Sequence, residues 1–242
     1  MNIPRRILLA PTFTIIVAVC SATAHASSFY VQRKVESRRL PIRSACFMPP
    51  AAQLTKLGMK GAEQMVKESD DWATALQLLV ESHLNSDGVA INAAANPFSS
   101  GASDSEIQQV ISQIQQKYGA ISPLMDKKPG EIAKSAFTLG DQVAMLPCSV
   151  TSDVLVFVRA AGTAATESRE AVSGLIGGPT SAATFIVTIA DAKTGEILGL
   201  IRIRLVGDFL SSAEEAFGQG LDDNLADMNI GSARKNAKSR GH

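Results

Sequence analysis

Asp153-Val-Leu-Val-Phe-Val158, followed by Phe185-Ile-Val-Thr-Ile-Ala190, the turn Asp191-Ala-Lys-Thr-Gly-Glu196 and Ile197-Leu-Gly-Leu-Ile-Arg-Ile-Arg-Leu-Val206, decides the fold. Val154–Val158 is an unbroken apolar run rich in β-branched residues, which predicts a central strand covered on both faces. Residues 185–190 and 197–206 flank a short polar turn whose glycine suits left-handed backbone, which predicts a hairpin. In its second arm Leu200, Arg202 and Arg204 alternate with Ile201, Ile203 and Leu205, so one face of that strand is partly wet.

Working back toward the amino terminus, Ala45-Cys-Phe-Met48 before Pro49-Pro50 has the length of a strand stopped by prolines. From Ala51, Leu54, Leu57, Ala62, Met65 and Val66 fall roughly on one face and predict a helix interrupted by Gly58 and Gly61. Ser69 or Asp70 caps a second helix carrying Trp72, Leu76, Leu79, Val80 and Leu84, closed by Gly88. Val89–Ile91 reads as a short buried strand, and residues 92–102 as loop. Ser103 and Glu106 make a capping box for a helix with the stripe Ile107, Val110, Ile111, Ile114 and Tyr118, ending at Gly119. A helical turn over 131–137 and a helix over 139–147 come next. Residues 167–182, with Gly-Gly-Pro at 177–179, read as loop. A last helix is boxed by Ser212 and Glu215 and carries Phe217, Leu221 and Leu225.

The fold expected is α/β: one mixed sheet in a two-layer or three-layer arrangement, with amphipathic helices packed on it and a carboxyl-terminal β-hairpin before a closing helix. The expected organisation is a signal peptide at 1–26, a flexible or edge-pairing basic lead-in at 27–44, an α/β domain at 45–228 and a disordered tail at 229–242.

The leader rests on Arg5 and Arg6, the apolar stretch Ile7–Val19, and the small residues Ala24 and Ala26 that place cleavage after Ala26. That stretch is shorter than the roughly 20 residues a spanning helix needs, so no transmembrane span is expected in the mature chain. The alternative is lipidation at Cys20, although Val19 before the cysteine suits that reaction poorly. The location expected is periplasmic or secreted, or the outer membrane if Cys20 carries lipid. The full chain has 23 basic and 23 acidic residues. Losing Arg5 and Arg6 with the leader leaves 21 against 23, net −2 over 216 residues, without the basic footprint of a nucleic-acid binder. Cys46 and Cys148 survive cleavage. Outside the cytoplasm such a pair tends to oxidise, but two buried thiols are equally compatible with the sequence.

Chemistry finds little support. The mature chain keeps only His83 and His242, and no HExxH or CxxC occurs, so no metal or other cofactor is expected. Ser173 has Ala171 where a GxSxG elbow needs glycine. Lys193-Thr-Gly195 matches the KTG element of penicillin-recognising enzymes, yet the SxxK match, Ser232–Lys235, lies downstream in the tail. Gly58-Met-Lys-Gly61 has the letters of a KH-type GxxG loop without a basic face around it.

The order of the strand opened by Asp153, a second strand, the Asp-Ala-Lys-Thr-Gly-Glu turn at 191–196, a third strand and an amphipathic closing helix resembles the periplasmic α/β domain of CsgG-like and LpoB-like lipoproteins. It is also similar to the amino-terminal domain of TolB. The resemblance spans roughly residues 45–228. It implies an exported, non-enzymatic accessory or assembly protein of the cell envelope, binding another envelope protein or a cell-wall polymer and able to oligomerise. The loop from Glu167 is too short for the hairpins of a secretion pore, whose strands alone take about 9–11 residues each. The partner surface expected comprises Glu167, Arg169, Glu170, Arg202 and Arg204. The alternative is a small-ligand-binding or hydrolytic protein using Asp153, Asp191 or His83.

Overall fold

The computed structural model describes residues 24–32, 35, 42–92, 105–166, 181–207 and 209–227. The leader up to residue 23 with Cys20, residues 167–180 with Glu167, Arg169 and Glu170, and the tail from residue 228 lie outside them, as do Ser103 of the expected capping box and most of the 92–102 loop.

The apolar run forms the first half of strand β6 (Val154–Ala165), and all five of its residues are buried. β7 (Ala182–Asp191) and β8 (Ile197–Val206) pair with it as the expected antiparallel hairpin. Beyond β8 the sheet ends in β1 (Ala24–Val31), antiparallel, so part of the lead-in is an edge strand. Cleavage after Ala26, if it occurs, would leave Ser27–Val31 of this strand opposite Gly199–Ile203.

On its other side β6 is met in parallel by two short strands placed end to end. β2 (Ser44–Phe47) lies beside Val154–Val156, and β3 (Ala51–Gly58) runs along Arg159–Ala165. Pro49 and Pro50, which have no N–H to give a ladder, sit at the break between them. β5 (Ala90–Ile91) extends the sheet outside β2, and β4 (Gly61–Gln64) outside β3. The sheet is mixed and open.

Residues 51–64 correct the sequence reading: they form the β3–β4 hairpin, and helix begins only at Val66. Of the supposed helical stripe Leu54 alone is fully buried, flanked by the more exposed Gln53 and Thr55 in strand alternation. Gly58 and Gly61 close the two-residue loop instead of interrupting a helix, and Gly61 takes φ 131°.

Helices cover both faces, giving three layers. Helices α1 (Val66–Ser86) and, at the end of the chain, α4 (Phe209–Asp227) lie on one face. Leu76, Val80, Leu84, Phe217, Leu221 and Leu225 pack there against Phe185, Val187, Ile201 and Ile203. Trp72 meets Phe185 edge-on at 4.9 Å. Helix α2 (Ser105–Lys127) lies on the opposite face, followed by 3₁₀ turns at Pro129–Lys134 and Asp141–Met145 and the short helix α3 (Pro147–Thr151). Their core joins Val110, Ile111, Ile114, Tyr118 and Met125 to Leu155, Phe157, Ala190 and Leu200.

Helix α2 runs past Gly119 and through Pro123, because Ser122 and Met125 continue the buried stripe a further two turns. The helix expected at 139–147 is a 3₁₀ turn and then α3. Cys46 on β2 and Cys148 on α3 form a disulfide, with Cα atoms 5.9 Å apart and a sequence separation of 102. Loop closure of that length contributes about 4–5 kcal/mol on the chain-entropy estimate.

Candidate functional site

Helix α2 stops at Lys127, but β6, β7 and β8 continue beyond it, and β3 runs alongside. Among the described residues, one face of these strand ends is therefore left without a helical cover. It forms a shallow open concavity of about 620 Å³ bordered by Asp126 of α2.

Strand register builds the floor in rows. Nearest the helix, Arg202, Ile186 and Arg159 stand side by side on β8, β7 and β6. Two residues along, Arg204, Thr184, Ala161 and Gln53 cross all four strands. Two further along stand Val206, Ala182, Thr163 and Thr55. The intervening residues, Leu54, Ala160, Ala183, Phe185, Ile203 and Leu205, point to the other face and are buried beneath α1 and α4. The same alternation that fills one core leaves small, hydroxyl, amide and guanidinium groups on the concave side.

The charges are unequal. The Asp126 carboxylate accepts from Arg159 Nη2 at 2.7 Å and from Arg202 Nη2 at 2.9 Å. One anion thus orients two guanidinium groups, both about a quarter exposed. Arg204 is exposed and makes no ion pair among the described residues. Among the described residues, three positive groups against one negative leave the rim cationic. Under it, Tyr118 stacks on Phe157 at 4.4 Å and shares a hydrogen bond of 2.9 Å with Thr188. Burial holds the Tyr118 phenol above its ordinary range, against the opposing pull of the nearby Arg159 charge.

The carboxylates and histidine singled out by sequence have separate duties. Asp153 Oδ2 accepts from the Arg43 and Ser44 amides at 2.8 and 3.0 Å and from Ser44 Oγ at 3.1 Å, tying the start of β2 to that of β6. Asp191 Oδ1 accepts from the Lys193 and Thr194 amides, both at 2.9 Å, and so shapes the hairpin turn. The two aspartates stand at one end of the sheet, where the Ala192 amide donates to the Asp153 carbonyl. His83 bonds neither of them; its Nδ1 lies 2.6 Å from Asp222 Oδ1, joining α1 to α4. Lys193 donates to the Ser149 and Val150 carbonyls, so the KTG letters belong to a turn docked on α3. The GxxG letters form the β3–β4 hairpin tip. Among the described residues no three His, Cys, Asp or Glu side chains gather within reach of a metal ion.

Of the expected partner surface, Arg202 and Arg204 lie in the concavity. Sequence reasoning missed Asp126, Arg159, Gln53 and Thr55. Asp126 was discoverable only as the residue after the buried Met125 at the end of a helix longer than expected.

No protein-family model and no curated protein matches the chain. Among solved structures it is similar to the PelC dodecamer from Paraburkholderia phytofirmans, at 8% identity and TM-score 0.39, covering 86% of this chain and 99% of that one. A single-substitution variant of that PelC dodecamer matches at 9% identity and TM-score 0.38, covering 86% and 98%. No role is carried over from a likeness of that size. Among the described residues no helix is long and apolar enough to cross a membrane.

Proposed function

We propose that this chain is an exported, non-enzymatic accessory or assembly protein of the cell envelope, and that it holds an envelope protein or polymer in the concavity of β3, β6, β7 and β8. The resemblance to the CsgG-like and LpoB-like domains is part of this proposal, as are the leader and a periplasmic or secreted location. The observation that carries it is the polar and cationic sheet face, left uncovered among the described residues, whose back is a continuous apolar core. A floor of this kind binds by shape and charge. The groups with titration chemistry, Asp153, Asp191 and His83, are occupied in holding strands, turn and helices together.

Ala161, exposed in the middle of the floor, gives the test. Ala161→Trp fills the concavity without entering either core. Mature protein should co-sediment with isolated envelope fractions in saturable fashion, and the tryptophan variant, its fold checked by circular dichroism, should not. Equal sedimentation of both proteins would refute the concavity as the docking surface.

A further inference from the structure

We infer that the concavity's ligand is a carboxylate-bearing polysaccharide; this deepens the binding role proposed above and rests on it. Three features of the floor choose this chemistry. First, β6 and β7 have hydrogen-bonded strands on both sides, so the middle of the floor offers no strand edge to a peptide; β4 pairs with β3 only from Thr55, and β1 of the cleaved chain would reach only as far as Ile203. Second, besides its arginines the floor is threonine, alanine, glycine and glutamine, with two larger aliphatic groups: Ile186, 5% exposed, and Val206 at its far end, 36% exposed. Among the described residues there is no apolar recess for the side-chain anchors of a protein partner, and no aromatic ring to stack a nucleobase. Third, the polar groups present are hydroxyls, an amide and guanidinium forks, which match sugar hydroxyls and carboxylates.

The arrangement also suits a polymer. From Arg204 to Gln53 the row spans three strand spacings, roughly 14 Å, open to solvent at its surface. Arg202 and Arg204, two residues apart on β8, offer successive cationic contacts on the same face. Asp126 holds Arg202 in place from beneath, while Arg204 is uncommitted and takes the ligand carboxylate.

The test uses the mature oxidised protein and four polymers in titration calorimetry at about 50 mM salt: polygalacturonate, its methyl ester, neutral dextran and poly-glutamate. Polygalacturonate should bind, and binding should weaken as salt rises; the methyl ester, which keeps the sugar and caps the carboxylate, and dextran should not bind. Arg204→Gln should weaken polygalacturonate about tenfold through loss of one charge-assisted contact. Lys67→Gln, the same charge change on exposed α1 across the sheet, should leave binding unchanged. Equal binding of the ester, binding of poly-glutamate as tight as of polygalacturonate, or an Arg204→Gln protein that binds normally would each overturn the inference. Absence of polygalacturonate binding in a protein whose envelope sedimentation is still blocked by Ala161→Trp would overturn the glycan assignment alone and leave the docking role standing.

Discussion

Gly195→Ala probes the turn that orders the carboxyl-terminal hairpin. Gly195 takes φ 70°, and its amide donates to the Asp191 carbonyl at 2.9 Å while its own carbonyl accepts from Leu139 at 2.7 Å. A Cβ added here would stand 2.6 Å from the carbonyl oxygen and 2.8 Å from the nitrogen of Gly140. Those are backbone atoms, held in place because Leu139 is wholly buried, so they cannot swing aside as a side-chain tip would. Left-handed backbone costs an alanine roughly 1–2 kcal/mol, and overpacking against a fixed neighbour typically adds about 1–3 kcal/mol. A loss of roughly 2–5 kcal/mol is expected.

Urea unfolding of the oxidised protein measures it, followed by circular dichroism and by the fluorescence of Trp72, the single tryptophan, which packs on Phe185 in the other core. Gly130→Ala is the control, since its Cβ meets nothing within 4 Å; it should gain about 0.4–1 kcal/mol by restricting the unfolded chain. A Gly195→Ala loss below about 1 kcal/mol would show that residues 137–140 yield, and that the turn is not clamped as described.

Cys148→Ser should cost about 4–5 kcal/mol relative to the oxidised protein, and reductant should then cease to affect the unfolding midpoint. Asp153→Ala should cost roughly 1–3 kcal/mol by unpairing the Arg43 and Ser44 amides, with no change in polymer binding at the concavity. The unfolded chain releases the Tyr118 proton near pH 10, whereas the buried phenol keeps it. Stability is thus unaffected by this group below that pH and falls as pH rises toward the raised folded value. In Tyr118→Phe that part of the alkaline decline should vanish in pH-dependent melting, leaving a steeper fall in the wild type.

How far the sequence spoke depended on whether the deciding pattern was local. Val154–Val158 and the Asp191–Glu196 turn carry their own signatures, an apolar run and an aspartate placed to accept two amides, and the hairpin is where they predict it. Helices α1 and α2 were legible from apolar spacing, and α2 ran long because Gly119 and Pro123 read as stops while Ser122 and Met125 continued its buried stripe. The β3–β4 hairpin was hidden: Leu54, Leu57, Ala62 and Met65 satisfy a helical period on paper, and only pairing with distant β6 settles the choice. The floor was half visible for the same reason. Arg202 and Arg204 alternate in plain view, but that Ala161 and Thr184 share a row with Arg204 is a matter of register between strands, and Gln53 joins it only by pairing with a strand more than a hundred residues away.

The two faces of the strand ends bear differently on what can occupy the concavity. A sheet face awaiting an apolar cover, whether a helix or a second copy's core, would carry large aliphatic groups, and the face under α1 and α4 does so with Leu54, Phe185, Ile203 and Leu205. On the concave side the corresponding positions are Gln53, Thr55, Ala161, Thr163, Ala182, Thr184 and Arg204, with Val206 the one larger aliphatic group among them. Burying those groups under an apolar partner would strip water from a guanidinium and several hydroxyls without replacing their hydrogen bonds, an unfavourable exchange. On the proposed docking role, the occupant that fits brings acceptors and at least one negative charge. Converting Thr163 and Thr184 to valine, which keeps shape and removes the hydroxyls, should then weaken a hydroxylated anionic ligand while leaving the fold as stable as before; tighter binding would mean that the partner is apolar after all.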